Sequence, residues 1–268
     1  MLVNALAAKA ERILVIGSVE PHYFAGFTGG RKALVPGVAA HATIEQNHAL
    51  AMSPGAQALA LEGNPVHEDM VEAVSLLRGP RMFAIMTVLD RENRVHFAAA
   101  GDLEGSFREA AAVAAEFHSV VVPERADVVV AVASPPLDID LYQSQKAIEH
   151  GRLALRDGGV LILVSECREG IGDPVFVEIL RGLGPSASPE LAGSGPQLLG
   201  RHKAARLAAI MGRHRVCAVT SLPPHVLESI GITPCASLQP ALDAALAAQP
   251  DARVLVLMAA STTVPKPA

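Results

Sequence analysis

The stretch Glu20–Gly37, EPHYFAGFTGGRKALVPG, sets a histidine, two adjacent glycines and an Arg-Lys pair inside one turn-rich segment. Each residue type brings usable chemistry. Gly29 and Gly30 carry no Cβ, so their backbone N–H groups can come close to a planar or anionic ligand. Lys32 offers an amine that serves as a nucleophile or a charge partner. His22, ten residues earlier, offers an imidazole that titrates near neutral pH and suits acid–base work. The segment is not a nucleotide-triphosphatase P-loop. Arg31 stands where that motif needs glycine, and Ala33 replaces the Ser or Thr that would hold magnesium. An ordinary glycine turn with a solvated lysine and a partly exposed loop histidine fits the same spacing.

Two further groups share helix faces. His41, Glu45 and His48 recur at i, i+4 and i+7, a spacing that suits either a first-row metal such as zinc or a plain polar face. In DLYQSQKA, Gln143 and Lys146 lie three apart and join an amide donor to an ammonium, a clamp for a small carboxylate or a solvated pair. The three cysteines, Cys167, Cys217 and Cys235, have no metal-site spacing and read as reduced thiols of a cytoplasmic protein. Cys167 reads as structural.

The elements that must position these groups follow from periodicity. RILVIGSVE is a short buried strand feeding the Gly-rich loop. The run from Ala39 to Leu61 reads as helical segments interrupted at Ser53-Pro54-Gly55. GNPVHEDM starts a helix, with Asn64 as N-cap and Pro65 at the first helical position. Two strands, RMFAIMTVLD and RVHFAAAGD, flank a charged turn, and a helix follows from Leu103. Beyond Pro123, the pattern gives a buried strand, a helix over about Leu141–Arg156, a Gly-Gly turn and the strand VLILVS. That is a βαβ unit with parallel strands. A loop, helix and strand continue from Ser188, then a helix at SLQPALDAALAAQP and a final strand at ARVLVLMAAS. The fold class is therefore α/β in two α/β units, the second Rossmann-like with a mainly parallel sheet. The expected domains are 1–122 and 123–268, with the last residues packing back on the first.

Composition bounds the function. The chain has 268 residues, half of them apolar and 18% charged, which excludes a disordered chain. A net charge of −5 gives no basic field, so nucleic acid is not expected as a partner. No apolar run approaches the length of a membrane span and no signal peptide is legible, so a cytoplasmic location is expected, with no membrane partner.

Taken together, EPHYFAGFTGGRKALVPG, TIEQNH, EGNPVHEDM, DLYQSQKA and GGVLILVSECREGIGD resemble the lactate racemase family, the nickel-pincer-nucleotide-dependent racemases and epimerases of 2-hydroxy acids. The resemblance runs in order along essentially the whole chain. It implies that Lys32 tethers the cofactor, pyridinium-3,5-bisthiocarboxylic acid mononucleotide nickel, covalently through a thioamide, with Gly29 and Gly30 admitting it to the backbone. His48 would then be the protein ligand to nickel, and His22 the general base on the substrate hydroxyl. Tyr142, Gln143 and Lys146 would hold the substrate carboxylate. In that chemistry the α-hydrogen of a small, lactate-like 2-hydroxy acid leaves as hydride and returns to the opposite face. Only one histidine is needed on the His41–His48 helix, so His41 and Glu45 become polar-face residues. Longer family members carry an N-terminal portion with phosphate-gripping residues and a second catalytic histidine, and nothing in this chain matches that histidine. The implied partner is a separate N-terminal chain or a second copy, and the surface left bare would be apolar. The alternatives are a module that binds cofactor or hydroxy acid without turnover and a zinc-dependent hydrolase.

Overall fold

The structure, a computed structural model, describes residues 1–77, 81–183 and 200–268. The chain packs into two units, Met1–His118 and Ser119–Ala268. Among the described residues no helix is long and apolar enough to cross a membrane.

The first unit begins with helix α1 (Ala5–Lys9) and strand β1 (Arg12–Ser18), followed by the short pair β2 (Pro21–His22) and β3 (Gly26–Phe27). A 3-10 turn, Gly30–Ala33, leads to α2 (His41–Ala49) and α3 (Pro65–Ser75). Strands β4 (Arg81–Leu89) and β5 (Val95–Gly101) and helix α4 (Leu103–Phe117) complete it. β1 runs parallel to β4, and β4 antiparallel to β5. Val15, Ala84, Met86 and Val88 on one face of this sheet pack on Phe107, Ala110, Ala111 and Ala114 of α4. The other face is apolar and open to solvent, with Leu14, Ile16 and Phe83 at 59, 66 and 50% exposure.

As the sequence predicts, Asn64 caps α3. Its Oδ1 accepts from the N–H of Val66 at 3.1 Å, and Pro65 follows. The helical segment expected after Pro54 does not form. Ala58 instead bridges to Gly26, the Leu59 N–H donates to the Gly26 carbonyl at 3.1 Å, and Leu59 takes a left-handed φ of 67°. Pairing with the Gly-rich hairpin outweighs the local preference for helix.

The second unit holds β6 (Ser119–Val122), β7 (Ala126–Val132), α5 (Leu141–Gly151), β8 (Leu155–Val164) and α6 (Pro174–Leu183). After the undescribed residues come α7 (Arg201–Met211), β9 (Arg215–Val219), α8 (Pro224–Glu228) and β10 (Thr233–Pro234). α9 (Leu238–Ala248), β11 (Val254–Leu257) and β12 (Val264–Pro267) end the chain. The main sheet has the order β10-β9-β8-β7-β11 and all its pairs are parallel. Burial on both faces explains its continuous apolar strands. Val129, Ala131, Leu161 and Leu163 face the cluster built by α5, α6 and α7, while Val128, Val130 and Ile162 face Ala241 and Ala245 of α9.

Two expected boundaries move. α5 stops at Gly151 rather than Arg156: a 3-10 turn follows over Arg152–Ala154, and β8 takes the chain from Leu155. A Cβ at Gly151 would stand 3.1 Å from that of Ala131. Gly158 and Gly159 lie within β8 rather than in a turn before it. The chain also ends in a strand not read from the sequence, β12, paired parallel with β6. The loop expected over residues 188–199 lies outside the described residues.

Candidate active site

In the first unit the turn after β2 closes on itself. The Ala25 N–H donates to Nδ1 of His22 at 3.3 Å. A backbone N–H can only donate, so Nδ1 carries no proton here and the neutral ring holds its proton on Nε2. Phe24, buried at the centre of this turn, is the point where the candidate groups meet. Its ring centroid lies 4.5 Å from that of His22 and 5.2 Å from that of His48, both edge-on. The Lys32 ammonium lies 5.9 Å from the same ring, at the outer limit of cation–π range. His22 also stacks on Tyr23, with centroids 5.1 Å apart. Three residues singled out by type and spacing, His22, Lys32 and His48, thus share one aromatic neighbour.

The surrounding chain holds this arrangement through two buried asparagines and an arginine. Asn64 Nδ2 donates to the carbonyl of Phe24 at 3.0 Å while its Oδ1 caps α3, tying that helix to the turn. Asn47, beside His48, donates to the Val66 carbonyl at 3.1 Å and to Oδ2 of Asp69 at 2.8 Å, locking α2 onto α3. The buried Arg31 guanidinium donates to the carbonyls of Ala25 at 2.7 Å and Gly29 at 3.3 Å, and lies 4.3 Å over the Phe107 ring. Burial pushes Arg31 down to about 9, so at neutral pH it is still a cation.

Gly29 and Gly30 sit at φ of 77° and 56°. A Cβ at Gly29 would come within 2.7 Å of the Ser18 carbonyl oxygen, and one at Gly30 within 2.7 Å of the Phe107 ring. The chain's own packing therefore demands both glycines. His41 and Glu45 do not join His48. The exposed His41 pairs through Nδ1 with Oε2 of the half-buried Glu45 at 3.5 Å, while His48 packs on Phe24. Among the described residues no group of three His, Cys, Asp or Glu is placed to hold a metal, so the three-ligand zinc arrangement is not formed.

In the second unit the fold delivers Tyr142, Gln143 and Lys146 to the first turns of α5, just past the carboxyl end of β7. In open parallel sheets ligands bind outside that end of the strands. Asp140 caps α5, its Oδ1 accepting the Gln143 N–H at 2.6 Å. Tyr142 packs edge-on against Phe176 with centroids 5.6 Å apart. Burial, with Asp173 and Asp140 nearby, pushes its phenol up to about 12. Lys203 of α7 lies over the Tyr142 ring, 3.6 Å from its centroid. Cys167 is buried and bonded to Ser165, and burial raises its thiol, which fits the structural reading.

Phe24, Arg31, Asn64 and Lys203 were not singled out from the sequence as functional. Phe24 reads as a core residue and Lys203 as one more cation on a helix. Two signals were available: the N-cap position of Asn64, and Arg31 as an arginine in a glycine-rich turn.

Comparison with known proteins gives a consistent picture. The lactate racemase N-terminal domain matches residues 1–59 and the lactate racemase C-terminal domain residues 121–264. The chain is 32% identical over 250 residues to a lactate racemase of Thermoanaerobacterium thermosaccharolyticum, covering 90% of this chain and 58% of that protein. It is 30% identical over 253 residues to that of Lactiplantibacillus plantarum, covering 92% and 59%. The lactate racemase apoprotein structure from T. thermosaccharolyticum superposes with a TM-score of 0.91 at 29% identity, over 98% of this chain and 65% of that one. A Thermotoga maritima protein shares the fold at a TM-score of 0.73 and 15% identity, over 99% and 69% of the two chains. The chain thus spans 58 to 59% of the length of the two curated relatives.

Proposed function

The chain belongs to the lactate racemase family, and from that premise we propose that it serves the inversion of the α-carbon of a small, lactate-like 2-hydroxy acid. The observation that carries this reading is the meeting of His22, Lys32 and His48 at the Phe24 ring. These groups fit the family's nickel-pincer nucleotide. Lys32 offers a half-buried amine for a thioamide tether, and His48 offers an imidazole nitrogen, a donor suited to Ni(II). Bound there, the cofactor would supply a hydride acceptor for the substrate's α-hydrogen.

The protein's own share is position and proton transfer. Gln143 and Lys146, one turn apart on α5, would take the substrate carboxylate, helped by the positive N-terminal end of that helix. His22 would meet the substrate oxygen through Nε2. Because the Ala25 N–H occupies Nδ1, the resting ring would donate to that oxygen. Accepting the hydroxyl proton would require the ring to give up the Ala25 bond, at a cost of about 1 kcal/mol.

Intact-mass and nickel analysis after co-expression with cofactor-making enzymes tests this reading. The expected result is an adduct on the Lys32 peptide with nickel present, both absent in Lys32→Ala. An unmodified, nickel-free chain under conditions that load a full-length relative would overturn it.

A second reading, retention of cofactor or hydroxy acid without turnover, is favoured by the resting His22 tautomer, whose Nε2 donates rather than accepts. A loaded chain that fails to racemise L-lactate alone, and still fails with a fragment supplying the uncovered part of a relative, would support it.

A further inference from the structure

Lys203 is a charged residue that the mechanism above does not use, yet its side chain is only 5% exposed. It sits in the first turn of α7, after Gly200, which takes a φ of 93°. Its ammonium donates to the backbone carbonyl of Tyr142 and lies over the face of the same residue's ring, 3.6 Å from the centroid. The backbone is fixed in return, since Gln145 Nε2 donates to the Lys203 carbonyl at 2.7 Å. One turn further along α7, Arg206 grips Glu149 of α5 with bonds of 2.7 and 2.9 Å. Three successive contacts thus seat α7 against the turns of α5 that carry Gln143 and Lys146.

We propose that Lys203 is the positioning residue of the carboxylate clamp, its ammonium holding Tyr142 by ring and carbonyl and thereby setting the first turn of α5. This rests on the clamp assignment made under the proposed function. The contact depends on charge, because a neutral amine has no cation–π attraction for the ring. Among the described residues, the groups near the ammonium include Tyr142, Lys146, Glu149 and the cap Asp140 from α5 and Asp173 from the turn before α6. Burial and then the Lys146 ammonium push Lys203 down to about 7, against the pull of Asp140, Glu149 and Asp173. The cation–π part of the hold on Tyr142 is therefore present below neutrality and lost as pH rises through it, while a neutral amine can still donate to the Tyr142 carbonyl.

The chain has two tyrosines and no tryptophan, so tyrosine spectra isolate this contact. The test is carbon-13 NMR of ring-labelled tyrosine in the full chain from pH 5.5 to 9, with Tyr142 assigned through Tyr142→Phe. The Tyr142 ring signals are expected to shift with a midpoint near 7 in the native protein. In Lys203→Met the titration should vanish, and Lys203→Arg should keep the low-pH position throughout. A pH-independent Tyr142 signal in the native protein, or the same titration in a folded Lys203→Met, would overturn the proposal. L-lactate titration of the same samples should give about tenfold weaker binding at pH 8.5 than at pH 6, with that difference lost in Lys203→Arg. Absence of lactate binding at every pH alongside an intact ring titration would sink the clamp assignment while supporting the hold of Lys203 on Tyr142.

Discussion

The ring of Phe24 stands edge-on to the imidazole of His48, their centroids 5.2 Å apart and their planes at 70°. Phe24 sits in a turn and His48 near the end of a helix, so the contact joins two parts of the first unit across 24 residues of sequence. Phe24 is fully enclosed, and its loss would empty the middle of the candidate site. Phe24→Ala is expected to lower stability by about 3–5 kcal/mol in urea unfolding, as for other buried phenylalanines. A cost under about 1 kcal/mol would show that the ring is not a packing centre.

The bond from the Ala25 N–H to His22 fixes a tautomer. Nitrogen-15 spectra of the imidazoles at pH 8 should show His22 protonated on Nε2, with Nδ1 shifted as an acceptor. A signal for the Nδ1-protonated form would contradict the turn geometry and would favour His22 as a ready base.

Two glycines separate backbone strain from crowding. Gly63 has a φ of 76° and nothing within 4 Å of a would-be Cβ, whereas a Cβ on Gly30 would meet the Phe107 ring at 2.7 Å. Gly63→Ala should cost about 1–2 kcal/mol, the penalty of a left-handed residue. Gly30→Ala should cost roughly 1–3 kcal/mol more, through overpacking. Equal costs in thermal or urea unfolding would mean that Phe107 yields freely.

His150 is buried on α5 and donates from Nδ1 to the Ala260 carbonyl at 2.8 Å. Burial pushes it down to about 4, below the ordinary histidine value of 6.5. The unfolded chain therefore binds a proton more readily than the folded one between these values. Stability from this group is complete above about pH 6.5 and falls as pH drops toward 4, by on the order of 3 kcal/mol in total. Urea midpoints measured across that range should decline for the native chain and decline less for His150→Gln. An identical slope in the two proteins would remove His150 as the cause.

Much of this architecture was legible because the relevant forces are local or periodic. The strands of the second unit are apolar on both faces, and Asn64-Pro65 is a helix start on chemical grounds alone. The rest was hidden for physical reasons. Pro265 and Pro267 lie in β12, and proline usually argues against a strand, although edge strands tolerate it. Gly158 and Gly159 read as a turn but continue β8 through its irregular start, where the register with β7 shifts. Of the candidate site, the chemistry-bearing residues were visible by type. What gathers them was not, since neither Phe24 as a shared neighbour nor the reach of Lys203 to Tyr142 has a periodic signature. The Phe24–His48 and Lys203–Tyr142 contacts each join segments apart in sequence, the second across 61 residues.

Within the turn from His22 to Lys32, Arg31 bonds two of the carbonyls and two glycines are wedged against Ser18 and Phe107. Such a turn gives up its conformational freedom when the chain folds, not when a ligand arrives. A molecule that docks there meets a backbone largely ordered beforehand and loses little affinity to ordering it. Selectivity is then expected to lean on rejection, since a ligand of the wrong outline meets a turn that is costly to reshape.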